Sequence, residues 1–357
     1  MNRVELAEAC AERWSQLGLR WAVVHGLEGY PDQLGRDLDI LVHRADIDAM
    51  VESASEVLAA SGFDVARPPD IWGKRVIGFN GTEAIELHAV TKISWREICL
   101  AEEPHNTEMR GPFPVDPWAA LAKQVVLPAW AGETERAGKV LAGQRPEALA
   151  SRSADVALNR LILEALGPPG DPDRSIHRLL EVRKIAARMS WSRHPIDSIR
   201  RVARVLWTKV LPFARPSGLA IELDGSDANA LEDVIETLDM GRRSIFTSVR
   251  VARPGDASGL LGSLRSAIAA RVFIRQQTVL FRVGTTHEDR LADWISAISV
   301  GPNRRLQPPI YLDFGNGLGP ARGFVLEVGG LSPQAIADKI WQVVESRFTA
   351  VFPPEAG

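Results

Sequence analysis

Cysteine is scarce in this chain of 357 residues, which contains only Cys10 and Cys99. The two cysteines lie on different predicted elements, so the sequence indicates no disulfide framework. No apolar run approaches the roughly 20 residues that a membrane-spanning helix requires. A signal-peptide pattern is also missing, because Glu5, Glu8 and Glu12 interrupt the apolar residues near the N-terminus. We therefore expect a cytoplasmic protein without a membrane span.

An excess of charge of either sign is missing as well. The chain has 42 Lys and Arg against 45 Asp and Glu, a formal net charge of −3, which argues against a protein that coats nucleic acid. Its 45% hydrophobic and 24% charged residues are ordinary for a globular protein. The length predicts two or three domains, each able to bury its own core.

The stretch from Trp21 to His43 organises the rest of the chain. It begins with a short apolar run that predicts a buried strand and that ends at Gly26. Gly26 and Gly29 permit a sharp bend and a close approach of the backbone to a ligand. The sequence therefore predicts a strand and a glycine-containing turn, followed by a second strand.

Two aspartates lie on this second strand, Asp37 and Asp39. Residues two apart on a strand share one face, so both carboxylates point the same way while Leu38 and Ile40 point into the core. Two neighbouring carboxylates repel each other unless a cation lies between them, and Mg²⁺ is a hard ion that prefers oxygen ligands. The pattern thus predicts a Mg²⁺ site, although a bare Asp-X-Asp also occurs where carboxylates cap turns or face solvent.

The pattern HGLEGYP followed by GRDLDILV resembles the nucleotidyltransferase superfamily that has the DNA-polymerase-β-like palm. It is similar in particular to small bacterial nucleotidyltransferases joined to a thymidylate-kinase-like domain. The resemblance implies an α+β palm in which Gly26, Leu27 and Gly29 lie near the nucleotide. Leu27 replaces the usual serine that holds nucleotide phosphate, which leaves the triphosphate contacts open.

A third carboxylate is expected on the strand Ala84–Val90. The resemblance implies an acid there that helps to hold the metal and takes the proton from the attacking hydroxyl, and Glu86 lies in the matching apolar frame. His88 shares its face and could extend the same site. Two alternatives stay open: Glu83 could supply the carboxylate, or Glu86 and His88 could form the wet face of a half-exposed strand.

A helical appendage is predicted after the palm, from segments 95–100, 117–127 and 133–141. Asp116 followed by Pro117 is a strong helix-start signal. The resemblance implies that such a segment packs on the palm and closes the acceptor cleft. Lys123 is the candidate there for contact with the triphosphate; the alternative is an ordinary solvated helix lysine.

The second half of the helical region is basic. Two helices are predicted at 175–189 and 196–211, and residues 174–209 contain ten Lys and Arg but only Glu181 and Asp197 as acids. Such a surface could attract a polyanion or nucleotide phosphates. A solvated face of a helical bundle explains the same pattern. The net charge and the shortage of interleaved aromatics disfavour nucleic acid as the partner.

After a boundary near residues 213–218, the chain resembles the opening of the thymidylate-kinase family: a strand, the loop Asp224–Asp227 and a helix. On the family's phosphate-binding loop pattern, Gly225 matches the first glycine. Leu231 falls where the phosphate-binding lysine should be, and Glu232 falls where the Mg²⁺-binding hydroxyl should be. We therefore expect a three-layer α/β domain without kinase activity.

These patterns predict a palm at 1–92, a helical region and linker at 93–213, and a degenerate kinase-like domain at 214–357. The resemblance implies Mg²⁺-dependent transfer of a nucleoside monophosphate from an NTP, with Asp37, Asp39 and Glu86 as catalytic and metal-binding residues. It implies a small-molecule or glycan-related acceptor, and the C-terminal half would serve packing, acceptor binding or homodimer formation. The alternative is a non-catalytic nucleotide-sensing or scaffolding protein.

Overall fold

The computed structural model describes residues 1–35, 37–68, 73–80, 83–96, 98–105, 108–143, 156–167, 171–193, 219–240, 248–252, 278–283, 306–315 and 324–354. The predicted linker (apart from Gly143), the helix predicted at 196–211 and the boundary at 213–218 lie outside these residues. The chain divides into two compact units. Unit 1 comprises Met1–Phe63, Asp70–Gly78 and Ile85–Leu206, and unit 2 comprises Asp64–Pro69, Phe79–Ala84 and Trp207–Gly357.

Unit 1 begins with alternating helices and strands, close to the predicted bounds. Its palm elements are α1 (Arg3–Gln16), β1 (Trp21–His25), β2 (Asp37–Val42), α2 (Ile47–Ala60), β4 (Lys74–Phe79) and β5 (Ala84–Val90), while β3 (Asp64–Ala66) belongs to unit 2. Then follow β6 (Ile93–Trp95), β7 (Ile98–Ala101), β8 (Glu108–Arg110) and β9 (Phe113–Val115).

Helix α1 has a sequence-encoded start and one buried face. The Asn2 side chain accepts the Glu5 N–H, and the Glu5 side chain accepts the Asn2 N–H, which forms a capping box. Trp14 is completely buried, and its ring meets that of Trp21 on β1 edge-on at 4.9 Å. Its indole N–H also donates to the Met50 carbonyl of α2 at 3.2 Å. A single tryptophan therefore links both helices to the first strand.

Six strands lying largely in unit 1 form a mixed sheet in the order β4-β5-β2-β1-β9-β8. Strand β2 is antiparallel to β1 and parallel to β5, while β1 is parallel to β9. Mixed strand directions with helices between them agree with an α+β arrangement and exclude a purely parallel βαβ repeat for this unit. Strand β2 lies near the centre of the sheet, where the hydrogen-bond ladder holds it on both sides.

The prediction of a helix over 95–100 is wrong. Strands β6 and β7 form an antiparallel hairpin there, with Trp95 paired to Ile98 and Arg96 in the left-handed region at φ 56°. The spacing of Trp95, Ile98 and Cys99 also fits a helix, and a segment this short cannot separate the two periods. Strands β8 and β9 likewise show that region 93–213 is not wholly helical.

The rest of unit 1 is helical, and the predicted start at Asp116 is confirmed. Helix α3 (Pro117–Leu121), a π-helical turn (Ala122–Val126) and α4 (Leu127–Ala131) run on without a break, followed by α5 (Thr134–Gly143), α6 (Val156–Leu166) and α7 (Pro172–Arg193). The Asp116 side chain accepts the Ala119 N–H, and Pro117 occupies the first turn. The buried faces of these helices form one apolar cluster with Val24, Leu41 and Val90 of the sheet.

Unit 2 contains a parallel sheet. Besides β3, its described elements are β10 (Leu219–Gly225), α8 (Ala228–Met240), β11 (Ser248–Ala252), β12 (Thr278–Val283), β13 (Leu306–Asp313), β14 (Phe324–Glu327) and α9 (Pro333–Val351). The five strands are parallel in the order β11-β12-β10-β13-β14. Helix α9 starts as predicted, with the Ser332 side chain accepting the Ala335 N–H and Pro333 in the first turn.

No helix within the described ranges is both long enough and apolar enough to cross a membrane.

Candidate functional site

The register between β2 and β5 brings the predicted acids together. The strands are parallel, with Asp37 opposite Glu86 and Asp39 opposite His88. Residues opposite each other on neighbouring strands point to the same face, so all four side chains share one face of the sheet. The predicted neighbourhood of the two strands is confirmed, and His88 lies on the same face as the acids. The catalytic and metal-binding roles of these residues stay predictions.

Asp39 is deeply buried and has a partner on each of its carboxylate oxygens. It is 7% exposed, its Oδ1 lies 2.8 Å from His88 Nδ1, and its Oδ2 lies 3.5 Å from Lys123 Nζ. Burial by itself raises the pKa of a carboxyl group, but the hydrogen bond with His88 and the positive charge of Lys123 outweigh it and hold the Asp39 pKa below its ordinary value. Asp39 is therefore ionised at neutral pH.

Glu86 also has a cationic neighbour, which sequence reasoning missed. Its Oε1 lies 3.0 Å from Nε of Arg75 on β4, and Glu86 is 7% exposed. A buried carboxylate needs such compensation because desolvation of an isolated charge is costly. Arg75 sits in an ordinary strand pattern, so nothing in the local sequence marks it as a site residue.

Lys123 reaches the site from the π-helical turn. Its side chain is 29% exposed and contacts Asp39, so the structure places it beside the acids rather than fully in solvent. Pro128 lacks the N–H that would bond the Gln124 carbonyl four residues earlier, which explains why regular helical bonding is interrupted just before it. The Gln124 side chain instead donates to the Val24 carbonyl of β1 at 2.7 Å, which holds the turn against the sheet.

A bulge in β1 adds His25 to the same face. Val23 pairs with Ile40 and His25 pairs with Asp39, the next residue back along β2. Strand β1 therefore contains one extra residue at this point, Val24, which has no partner in the register. Bulges of this kind re-aim side chains and are frequent beside active sites. His25 thereby stands opposite Asp39, whereas strict alternation would give it the face of Val23. Regular alternation along the strand therefore did not predict that His25 shares a face with Asp39.

The glycine turn after β1 is built around close backbone packing. Gly26 has φ 102°, and a Cβ placed on it would lie 2.2 Å from the carbonyl oxygen of Asp37. Gly29 also has a positive φ, 93°. Leu27 is 6% exposed, so its side chain belongs to the core and only its backbone could face a ligand. The glycine at position 26 is thus required by the neighbouring strand, whatever binds in front of it.

Glu28 closes this turn and was not singled out from the sequence. One carboxylate oxygen lies 3.0 Å from His25 Nδ1, and the other accepts the Gly26 N–H at 3.1 Å. The hydrogen bond to Glu28 raises the pKa of His25, and the same hydrogen bond lowers the pKa of Glu28. One backbone amide and one imidazole therefore hold the Glu28 carboxylate at this turn.

The side chains of the site could act as ligands for a hard cation, because several carboxylates share one face and such cations prefer oxygen ligands. No group of three or more His, Cys, Asp or Glu side chains among the described residues is placed to hold a metal ion. Mg²⁺ is usually held by one or two carboxylates together with waters and substrate phosphates. Asp37 and Asp39 fit that smaller requirement, so these residues suit an ion that arrives with a phosphate-bearing ligand.

In unit 2, the start of α8 supports the predicted loss of phosphate binding. Oδ1 of Asp227 accepts the N–H groups of Asn229 and Ala230 at 2.9 and 3.1 Å. These are first-turn amides, the groups that a phosphate at a helix N-terminus would use. Leu231, at the lysine position, is buried at 6% exposure.

The loop before α8 is satisfied internally as well. The Gly225 N–H donates to Asp224 at 2.8 Å, and the Ser226 N–H donates to the Leu312 carbonyl at 3.1 Å. A phosphate would have to displace a carboxylate from the N–H groups of Gly225, Asn229 and Ala230, and a carbonyl from that of Ser226. The loop therefore presents an already filled set of donors.

Comparison of the sequence with protein-family models gives no match, and neither curated proteins nor solved structures give one. The residues and the geometry of the site are therefore the basis for the function proposed below.

Proposed function

We propose that the protein is a nucleotidyltransferase that moves a nucleoside monophosphate from a Mg²⁺-bound NTP to an acceptor hydroxyl or phosphate. The observation that carries this proposal is the β2/β5 register, which puts Asp37, Asp39 and Glu86 on one face of a central pair of strands. Enzymes use such carboxylates to hold metal ions that bridge phosphate oxygens. When bound, Mg²⁺ would be held by Asp37 and Asp39 and would neutralise charge on the triphosphate.

Side chains of the protein would orient the NTP and accept the proton of the attacking hydroxyl. Lys123, now 3.5 Å from Asp39, carries positive charge within reach of the same face and suits contact with phosphate oxygens. Glu86 is the carboxylate proposed to accept the proton of the attacking hydroxyl. The ion pair with Arg75, whose Nε lies 3.0 Å from the Glu86 Oε1, holds this carboxylate in position.

A second candidate function is nucleotide sensing or scaffolding without catalysis. The charge compensation already present favours it: Asp39 has His88 and Lys123 as partners, and Glu86 has Arg75. In the second unit, Asp227 already accepts the N–H groups of Asn229 and Ala230, which supports a unit without phosphate binding. Both candidate functions require nucleotide binding, and they differ in whether the bound NTP is converted to products.

The test is release of pyrophosphate from each NTP by the full-length chain, with Mg²⁺ and with excess chelator, across a panel of hydroxyl and phosphate acceptors. Asp39→Asn removes one charge with little change in volume and should lower the rate by about 100-fold or more, the scale of several kcal/mol of charge stabilisation. Asp32→Asn, an exposed change on the preceding loop, is the matched control and should keep the wild-type rate.

An unchanged rate in Asp39→Asn would refute catalysis at this site. Binding of Mg²⁺·NTP without pyrophosphate release under any condition would favour the sensing function. Chelator that leaves the rate unchanged would remove the metal from the proposal.

A further inference from the structure

Glu28 occupies a position that combines two anion-binding groups. The same carboxylate accepts the Gly26 amide at 3.1 Å and lies 3.0 Å from His25 Nδ1. An exposed ion pair by itself contributes little to stability. Here, however, the carboxylate also satisfies a backbone amide at the end of β1, so the two donors form a small cradle that holds an anion.

The cradle lies beside the carboxylate face. His25 stands opposite Asp39 in the β1/β2 register, on the face that carries Asp37 and Asp39. The Glu28 side chain is 56% exposed, so it can leave the cradle without disturbing the core. Gly26 itself is fixed, because its backbone packs against the carbonyl of Asp37.

We propose that Glu28 is an internal acidic gate. Its carboxylate fills a phosphate subsite formed by the Gly26 N–H and His25, and a phosphate of the NTP displaces this carboxylate on binding. This inference rests on the proposed nucleotidyltransferase function and adds His25 and Glu28 to its binding residues. A phosphate oxygen accepts the same two hydrogen bonds as a carboxylate and carries more charge. The gate keeps the anionic subsite closed until a polyphosphate chain competes for it.

Removal of an ordinary binding residue weakens ligand binding. Removal of the Glu28 carboxylate should instead strengthen it. Glu28→Gln and Glu28→Ala in the full-length chain should each lower the Kd for inorganic tripolyphosphate about tenfold, since both a competing hydrogen-bonded ion pair and a like-charge repulsion are lost. Asp32→Asn, which also removes one acid from this loop, should leave the Kd within about twofold of wild type.

His25→Ala combined with Glu28→Ala tests the other half of the cradle. It should weaken tripolyphosphate binding about tenfold relative to Glu28→Ala alone, because one charge-assisted contact is lost. Calorimetric titration supplies the Kd values, and thermal unfolding midpoints equal to wild type show that the variants are folded.

An unchanged or weaker affinity in both Glu28 variants overturns the gate, as does failure of every variant to bind tripolyphosphate. Equal gains in Asp32→Asn would show a general charge effect and would also overturn it. Stronger tripolyphosphate binding in the Glu28 variants, without pyrophosphate release from any NTP, would support the gate and refute the catalytic function. Failure of the gate can therefore be distinguished from failure of the proposed activity.

Discussion

Replacement of Gly26 by alanine should destabilise unit 1 through a single added methyl group. Two effects act at this position. The backbone has φ 102°, where an L side chain is strained, and the new Cβ would lie 2.2 Å from the Asp37 carbonyl oxygen. That oxygen belongs to the backbone of a central strand, so relief of the clash requires movement of β1 or β2.

The structure offers a control that separates the two effects. Gly132 has φ 100°, nearly the same as Gly26, yet an added Cβ there would have no neighbouring atom within 4 Å. Gly132→Ala should therefore cost only the left-handed strain, about 1–2 kcal/mol. Gly26→Ala should add about 1–3 kcal/mol of overpacking to a similar strain, a total of about 2–5 kcal/mol.

Urea unfolding of the full-length variants, followed by tryptophan fluorescence, measures the difference. We expect Gly26→Ala to lose at least about 1 kcal/mol more than Gly132→Ala, and to lose pyrophosphate release as well because Asp37 shifts. Equal losses in the two alanine variants would refute the close contact between Gly26 and Asp37.

Two further predictions concern the helix start at Asp116 and the loop of unit 2. Asp116 is 3% exposed and accepts the N–H groups of Ala119 and His105, each at 2.9 Å, so Asp116→Ala should lower the free energy of unfolding by about 2–3 kcal/mol in urea titrations. Asp116→Asn, which keeps an acceptor for Ala119, should lose clearly less; equal losses would contradict the capping role. Photo-crosslinking with an azido-ATP analogue should leave the peptide 219–240 unlabelled, because Asp227 already accepts the N–H groups of Asn229 and Ala230. Label on that peptide, competed by ATP, would show that the loop still binds phosphate.

Local periodicity predicted most of the described elements. Capping residues marked the starts of α3 and α9, and alternation along β2 and β5 assigned the faces of Asp37, Asp39 and Glu86 correctly. These features depend on neighbours within a few residues, where the sequence carries the whole signal. The hairpin at β6 and β7 was misread because its spacing fits both periods over so few residues.

The pairing of particular cations with particular acids could not be predicted in the same way. Arg75, His88 and Lys123 meet Glu86 and Asp39 across strands or from a helical turn far away in sequence. Which cation reaches which carboxylate depends on strand register and on the π-helical turn before Pro128. Both are consequences of packing rather than of local propensity.

The sequence by itself determined that two aspartates share a face of a strand, that a glycine turn precedes them, and that the loop of unit 2 contains no lysine. Only the tertiary structure decided that His25 joins them. Regular alternation from Val23 would give His25 the other face, and one extra residue at Val24 changes its pairing to Asp39. A bulge depends on how two strands and their neighbours fit together, so the period of the sequence cannot reveal it.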